Sequence, residues 1–191
     1  MDNFHEEVAS KYNKTFNNLL YALCWVIIVF FGLLAMTGLS ALMALRFSVA
    51  AVAYTVVFGG LAVLLWFKKD NLRVEYDYTF TNGDLDVGKV FGNSRRRLMT
   101  SLPMKNVEAA GLVTHQSFQR YQNDSTVKKH NWFVNREADL TYFYFVKKND
   151  KNENVKHCII LEITDTMLEM CKPYLKFGVW QGENGQVGPR F

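Results

Sequence analysis

The order of apolar and polar positions divides the chain into one long apolar stretch and a mixed remainder. Between Leu19 and Phe67 the sequence carries a single charged residue, Arg46. One crossing of a bilayer takes about 20 apolar residues, so this stretch is long enough for two crossings. Arg46 lies near its middle, where a helical hairpin has to turn. The pattern therefore predicts a two-pass transmembrane hairpin over residues 19–67.

Two apolar segments define the predicted spans, residues 19–38 and residues 49–67. At 1.5 Å per residue, each helix reaches roughly 30 Å, which is the thickness of the hydrocarbon core. Unpaired backbone groups are not tolerated in hydrocarbon, so both spans are expected to be helical. Residues 39–48 remain for a turn at the interface. Small residues along both spans predict close helix packing, and Trp25 and Trp66 are predicted interfacial anchors.

The positions of Lys and Arg orient the hairpin. Five of these residues flank its outer ends, namely Lys11, Lys14, Lys68, Lys69 and Arg73, whereas only Arg46 lies in the turn. The positive-inside bias therefore predicts a multi-pass protein of the plasma membrane with both termini cytoplasmic. The spans contain no acid or base that would mark a transport path, which argues against a channel or pump.

After the second span the apolar period changes to alternation. Residues 74–81 alternate apolar or aromatic positions with polar ones, which predicts a strand with one buried face. Asn82-Gly83 predicts a hairpin turn into a second strand, and Arg95–Leu102 is a third strand. Residues 140–148 and 155–163 predict two further strands by the same pattern.

The remaining segments are less regular. Residues 103–110 predict a short turn or helical piece, and the strand count of the polar segment 114–139 stays open. A helix closes the region, because Thr166 and Glu169 match a capping box. Pro173 must kink or end that helix.

These patterns predict four parts: a cytoplasmic N-terminal segment at 1–18, the hairpin at 19–67, a domain at 70–180 and a flexible tail at 181–191. Strands, a turn-rich middle, further strands and one closing helix describe an antiparallel β barrel of the pleckstrin-homology (PH) type. The predicted fold class is thus an α+β membrane protein, with a two-helix transmembrane hairpin followed by a PH-like barrel and a C-terminal helix.

Three segments resemble bacterial PH-like membrane proteins. Residues 75–87, with the sequence EYDYTFTNGDLDV, look like the opening of such domains, as does Arg95-Arg96-Arg97 followed by Ser101-Leu102-Pro103. Residues 167–175 are similar to the end of one family of unknown function that has two membrane spans before this domain. The resemblance covers nearly the whole chain. Because its motifs are structural rather than chemical, it implies a fold and not an activity.

Composition and motifs argue against several classes of function. The 191 residues carry a net charge of +4, which gives a mildly basic, mixed surface and does not predict nucleic-acid binding. Three cysteines without a C-x-x-C spacing do not form a disulfide framework. The four histidines lack a paired metal spacing, and the common nucleophile, phosphate-loop and dinucleotide motifs are missing from the sequence. The sequence therefore predicts no enzyme activity, no metal and no cofactor.

The basic residues on and around the third strand are the predicted binding residues. In a strand, Arg95 and Arg97 share one face and Arg96 points to the other. Guanidinium groups match phosphate geometry, so with Lys89 and Lys105 they can cradle a phosphate or an anionic lipid headgroup. The alternative is a solvated strand whose charges pair with neighbouring carboxylates.

The sequence thus predicts a membrane-anchored, non-enzymatic binding or scaffolding module. Its PH-like domain would face the inner side of the membrane and engage lipid headgroups or a membrane protein partner. The alternative is an accessory subunit of a larger membrane assembly, packed through the transmembrane hairpin. The ligand, the partner, the pathway and the oligomeric state stay open.

Overall fold

The structure is a computed structural model that describes residues 3–44, 48–92 and 94–181. The chain divides into two compact units. The helical unit comprises residues 13–74 and 91–94, and the β unit comprises residues 1–12, 75–90 and 95–191. Arg46, the predicted turn charge, and residues 182–191 of the predicted tail lie outside the described residues.

The helical unit contains two long helices, α1 at Lys14–Ala44 and α2 at Val49–Lys68, followed by a 3-10 turn at Lys69–Leu72. Both are long enough and apolar enough to cross a membrane, and both predicted spans lie within them. The turn predicted at 39–48 is wrong over its first half, because α1 continues to Ala44. That segment contains neither Gly nor Pro, the residues that commonly end helices.

Small residues let the two helices approach closely at Gly38. A Cβ atom there would overlap the side-chain hydroxyl of Thr55 and lie 2.9 Å from the Tyr54 ring. This confirms the predicted small-residue packing at one position. By contrast, Gly32 and Gly60 face open space and take no part in it.

Aromatic rings join the two helices near the end of α2, and Lys69 lies over the rings of Trp25 and Trp66. The rings of Trp25 and Trp66 meet edge to face with centroids 5.0 Å apart. Lys69 is buried, and its Nζ lies 2.8 Å from Asp70 Oδ1 and 5.0 Å from the centroid of the Trp66 ring. A cation over ring faces is attracted by their quadrupoles. Lys69 and both predicted anchors, Trp25 and Trp66, therefore also fix the helix pair.

The β unit is built on two sheets. The first has the order β1-β2-β3-β4, formed by Phe4–Ala9, Val74–Thr81, Asp84–Phe91 and Arg95–Pro103. The second has the order β6-β8-β7-β5-β9, in which β5 to β9 are Val107–Leu112, Val127–Trp132, Thr141–Lys148, Asn154–Leu161 and Trp180–Gln181. Helices α3, Phe118–Asn123, and α4, Asp165–Cys171, complete the unit.

The strand predictions largely hold. Asn82 and Gly83 have φ values of 48° and 98°, as a two-residue hairpin turn requires, so the predicted hairpin is confirmed. The helical piece predicted at 103–110 is wrong beyond Asn106, because Val107–Leu112 forms β5. The segment 114–139, whose strand count stayed open, supplies α3 and β6.

The first strand comes from the segment predicted to lie outside the domain. β1 pairs antiparallel with β2, with Glu6 opposite Thr79. The carboxylate of Glu7 accepts hydrogen bonds from the backbone N–H of Thr164, at 3.0 Å, and from its hydroxyl. Thr164 is also the N-cap of α4, and its hydroxyl accepts from the backbone N–H of Met167, so the capping box predicted at Thr166 and Glu169 is wrong and the helix begins two residues earlier.

A polar clamp holds the connector that follows β1. The carboxylate of Glu162 accepts hydrogen bonds from the backbone N–H groups of Val134, at 3.0 Å, and Asn135, at 2.9 Å. The Asn135 side chain donates to the carbonyl of Ser10 at 2.9 Å and accepts from the N–H of Tyr12 at 3.1 Å. Residues 10–12 are therefore fastened to the β unit by side-chain hydrogen bonds.

The second sheet is covered on both faces. Tyr142 and Phe143 are neighbours in β7 and point to opposite faces, yet both are 0 % exposed. On the face of Tyr142, Phe118 of α3 packs in a cluster with Cys158 and Ile160. This explains why the sequence pattern of β7 is aromatic at consecutive positions.

Replacing Glu7 by Ala should destabilise the β unit. The change removes two hydrogen bonds at the N-terminus of α4, which we expect to cost about 1–3 kcal/mol of unfolding free energy. The matched control is Glu6→Ala on the exposed face of the same strand, with an expected effect within about 0.5 kcal/mol. Denaturant unfolding of the detergent-solubilised chain measures both. Equal losses in the two variants would contradict this role of Glu7.

Candidate functional site

Arg96, the central arginine of the basic strand β4, forms its contacts with side chains of β2 in the same sheet. Arg96 Nε lies 2.7 Å from Asp77 Oδ2, and its Nη2 donates to Thr79 Oγ1 at 3.3 Å. Asp77 is only 4 % exposed. Burial raises the pKa of Asp77, and the positive charge of Arg96 opposes that rise. Arg96 thus stabilises a buried carboxylate on β2.

Gly88 leaves the space through which Arg96 reaches Asp77. A Cβ atom at Gly88 would lie 3.1 Å from Arg96 Nε and 3.5 Å from Asp77 Oδ2. The Arg96 side chain therefore crosses β3 at the one position of that strand without a side chain. This role explains a glycine in a strand interior, where it is otherwise unfavourable.

The other predicted binding residues lie around the same hairpin. Arg95 and Arg97 are exposed on β4, on the face opposite to Arg96. Lys89 of β3 lies with its Nζ 5.8 Å from the centroid of the Tyr76 ring, and Lys105 is exposed in the turn after β4. Binding of a phosphate or headgroup by these four residues stays a prediction.

Two histidines that are far apart in the sequence meet in the second sheet. His130 Nε2 lies 3.1 Å from His157 Nδ1, and the two rings stack at 14°. Trp132 stacks on one side of the pair and Phe145 on the other. Burial lowers the pKa of both histidines, and the positive charge of Lys128 adds to the effect. Only the parallel pairing of β6 with β8 brings them together, so no sequence spacing shows it.

A cleft lies beside α3, on the face of the second sheet that carries Tyr142. Its volume is about 610 Å³, within the range of small-molecule sites. It is lined by His115, Gln116, Ser117, Arg120, Tyr121, Gly178, Trp180 and Gln181. These residues come from the loop before α3, from α3 itself, from the turn before β9 and from β9. Sequence reasoning missed the site because its residues form no local motif.

A chain of hydrogen bonds forms one side of the cleft. His115 Nδ1 lies 2.8 Å from Ser117 Oγ, which lies 3.0 Å from the hydroxyl of Tyr142. The Tyr142 hydroxyl donates to Gln181 Oε1 at 2.9 Å. Burial raises the pKa of Tyr142 to about 12, so this hydroxyl stays protonated at neutral pH.

Metal ligands do not converge in the part of the chain that the structure describes. No group of three or more His, Cys, Asp or Glu side chains is arranged there to hold an ion. The thiols of Cys158 and Cys171 are buried and free, and burial raises the pKa of each to about 12. Neither thiol therefore has the thiolate character of a reactive cysteine.

Replacing Arg96 by Gln should cost more stability than replacing Arg97. The first change leaves the Asp77 carboxylate buried without its cation, which we expect to cost about 1–2 kcal/mol because Arg96 itself is half exposed to solvent. The second should stay within about 0.5 kcal/mol. Adding Asp77→Asn to Arg96→Gln should recover part of the loss. Denaturant unfolding distinguishes these outcomes, and equal effects of the two Arg variants would refute the assignment.

The histidine pair should make stability fall on acidification. Both folded-state pKa values are lowered, so the unfolded chain takes up protons first, from about pH 6.5 downwards. Stability should drop as the pH falls below about 6.5, with a slope of up to about 1.4 kcal/mol per pH unit for each histidine. The double variant His130→Gln, His157→Gln should flatten this slope in denaturant unfolding. An unchanged slope would show that other groups control it.

One family comparison matches the chain almost throughout. Residues 1–181 match the family described as Bacterial PH-like domain (DUF6106). No curated protein and no solved structure matched. The match includes β1, both long helices, both sheets and α4, so the helices are part of the family's architecture rather than an appendage. The chain therefore belongs to the bacterial PH-like domain family DUF6106.

Proposed function

We propose that this protein is a membrane-anchored, non-enzymatic binding module that holds its PH-like domain at the inner face of the plasma membrane. One observation carries the proposal: β1 precedes the two long helices, β2 follows them, and the two strands pair. The chain thus leaves the first sheet, passes through α1 and α2, and returns to the same sheet. A helical hairpin that crosses a bilayer twice meets this requirement, because it begins and ends on one side.

The connectors support a domain held close to the bilayer. Residues 10–13 join β1 to α1, and residues 69–73 join α2 to β2. An extended chain spans at most about 3.6 Å per residue, so neither connector reaches far. Tethering at two points raises the effective concentration of the domain at the membrane surface, which makes a weak interaction there productive.

The surface of the helices supports contact with lipid. No described residue of α2 is buried, and the exposed residues include Val57, Leu64 and Phe67. An apolar surface of this size on a water-soluble protein favours association or aggregation. In a bilayer, hydrocarbon covers the same side chains at no cost.

The charge distribution supports the orientation. Lys68 and Lys69 lie at the end of α2, and Arg73 follows within the connector. Positive residues at the ends of spans favour the cytoplasmic side. The β unit would then meet the anionic leaflet, where each exposed basic residue contributes about 1 kcal/mol of attraction. Arg95 and Arg97 are the exposed pair on β4 that this attraction would use.

The topology can be tested by single-cysteine labelling. The starting variant replaces Cys24, Cys158 and Cys171 by Ala or Ser, and one cysteine is then placed at Asp2, at Arg46 or at Gly185. Intact cells should allow a membrane-impermeant maleimide to label only the Arg46 position. The two terminal positions should react only after lysis, and the protein should stay in the membrane fraction at alkaline pH. Labelling of a terminal position in intact cells would reverse the orientation, and recovery in the soluble fraction would refute the anchor.

A further inference from the structure

We propose that the cleft beside α3 binds a phosphate monoester, with Arg120 contacting the phosphate and Tyr121 and Trp180 flanking a planar body. The inference rests on the proposed binding role and assigns a ligand class to one site. The site is separate from the basic strand, because its lining residues come from the α3 region and β9 and not from β3 or β4. Its volume of about 610 Å³ accommodates a molecule of metabolite size.

The charge of the cleft favours an anion. Among the described residues that line the cleft, Arg120 is the one with a fixed charge and none is acidic. The carboxylate of Asp124, at the end of α3, is engaged elsewhere: it accepts from Thr126 at 2.7 Å and lies 3.6 Å from Lys156 Nζ. Lys172 adds positive charge beside one wall, because its Nζ lies 4.8 Å from the centroid of the Trp180 ring.

The polar groups of the cleft favour a ligand rich in acceptors. The backbone N–H of Ser117 donates to His115 Nδ1 at 3.3 Å, so Nδ1 is an acceptor and the neutral ring carries its proton on Nε2. Gln181 Oε1 is occupied by the Tyr142 hydroxyl, which leaves the amide N–H groups of Gln181 as donors. With the five N–H groups of Arg120, these donors suit the three acceptor oxygens of a phosphate monoester.

The aromatic walls are held by the sheet rather than by loose loops. Tyr121 stacks on Tyr144 with centroids 4.6 Å apart and contacts the fully buried Tyr142 at 5.5 Å. Trp180 lies in β9, paired with Ala110 of β5. Side chains fixed before the ligand arrives lose little conformational entropy on binding. A planar group beside these rings gains contact with them in addition to the phosphate contacts.

Phenyl phosphate is the probe that combines both features. The full-length chain in an uncharged maltoside detergent is titrated by calorimetry with phenyl phosphate, with phenol, with inorganic phosphate and with benzoate. We expect phenyl phosphate to bind at least about tenfold more tightly than any of the other three. Phenol lacks the phosphate, inorganic phosphate lacks the ring, and benzoate lacks the third acceptor oxygen. Equal binding of benzoate, or no heat with phenyl phosphate at millimolar concentration, would overturn the proposal.

Arg120→Gln is the decisive variant, and Arg136→Gln is its matched control. Both arginines are exposed, and neither has an ion pair among the described residues, so the fold should tolerate both changes. Arg120→Gln should weaken phenyl phosphate binding by about 10- to 100-fold, the value of a charge-assisted hydrogen bond, whereas Arg136→Gln should change it less than about twofold. Similar losses in both variants would mean a non-specific charge effect and would refute the site.

A second titration, in lipid nanodiscs, distinguishes a lipid headgroup from a soluble phosphate ester as the ligand. The titration is repeated in nanodiscs of phosphatidylcholine with and without phosphatidic acid. Competition by phosphatidic acid, abolished by Arg120→Gln, would support the proposal with a lipid headgroup as ligand, and unchanged binding of phenyl phosphate would support it with a soluble ester. The detergent titration does not depend on orientation in the membrane, so failure of the topology test leaves this test intact.

Discussion

The rest of the structure depends on the backbone pairing of β1 with β2. The two strands are separated by the whole helical hairpin, and Ala9 lies opposite Tyr76. Closing so long a loop costs conformational entropy that grows slowly with its length. The hairpin itself reduces that cost, because only four residues separate α1 from α2, and the two helices pack at Gly38 and meet at Trp25 and Trp66. The helical hairpin is thus an insertion between two neighbouring strands of one sheet, so the sheet closes only when the two ends of the hairpin come together.

Polar side chains then hold an edge strand that buries little apolar surface. β1 exposes Phe4, Glu6 and Val8 and buries only Ala9. Its backbone pairing is supplemented at one side by Glu7, which binds the N-cap of α4, and beyond its end by Asn135, which binds residues 10–12. Because an exposed edge strand is a site of unwanted pairing, its charges also protect the sheet. Polar contacts with residues distant in sequence therefore hold the N-terminal segment in place.

Those distant contacts explain which parts of the fold the sequence predicts. Long apolar runs and clear alternation predicted α1, α2 and the strands of the β hairpins, and Asn82-Gly83 predicted its turn because few residues accept two positive φ values. The sequence did not predict β1, because its six residues carry polar side chains on both faces and therefore show no alternation of apolar and polar positions. The cap was placed at Thr166 rather than Thr164 because the capping-box pattern specifies local spacing, whereas Glu7 fixes the true cap from across the fold.

The Arg95–Arg97 strand and the Arg120 cleft show that the prediction of binding residues is limited in the same way. Arg95, Arg96 and Arg97 form the densest run of positive charge in the sequence, yet Arg96 neutralises a buried carboxylate across Gly88. Arg120 has no Lys or Arg within seven positions on either side, yet it lies at a concave site with several donors. Recognition of a small anion requires donors that converge in a cavity, and convergence is a property of the fold. A charge run measures only local density along the chain, so the isolated arginine is the better candidate for a specific ligand.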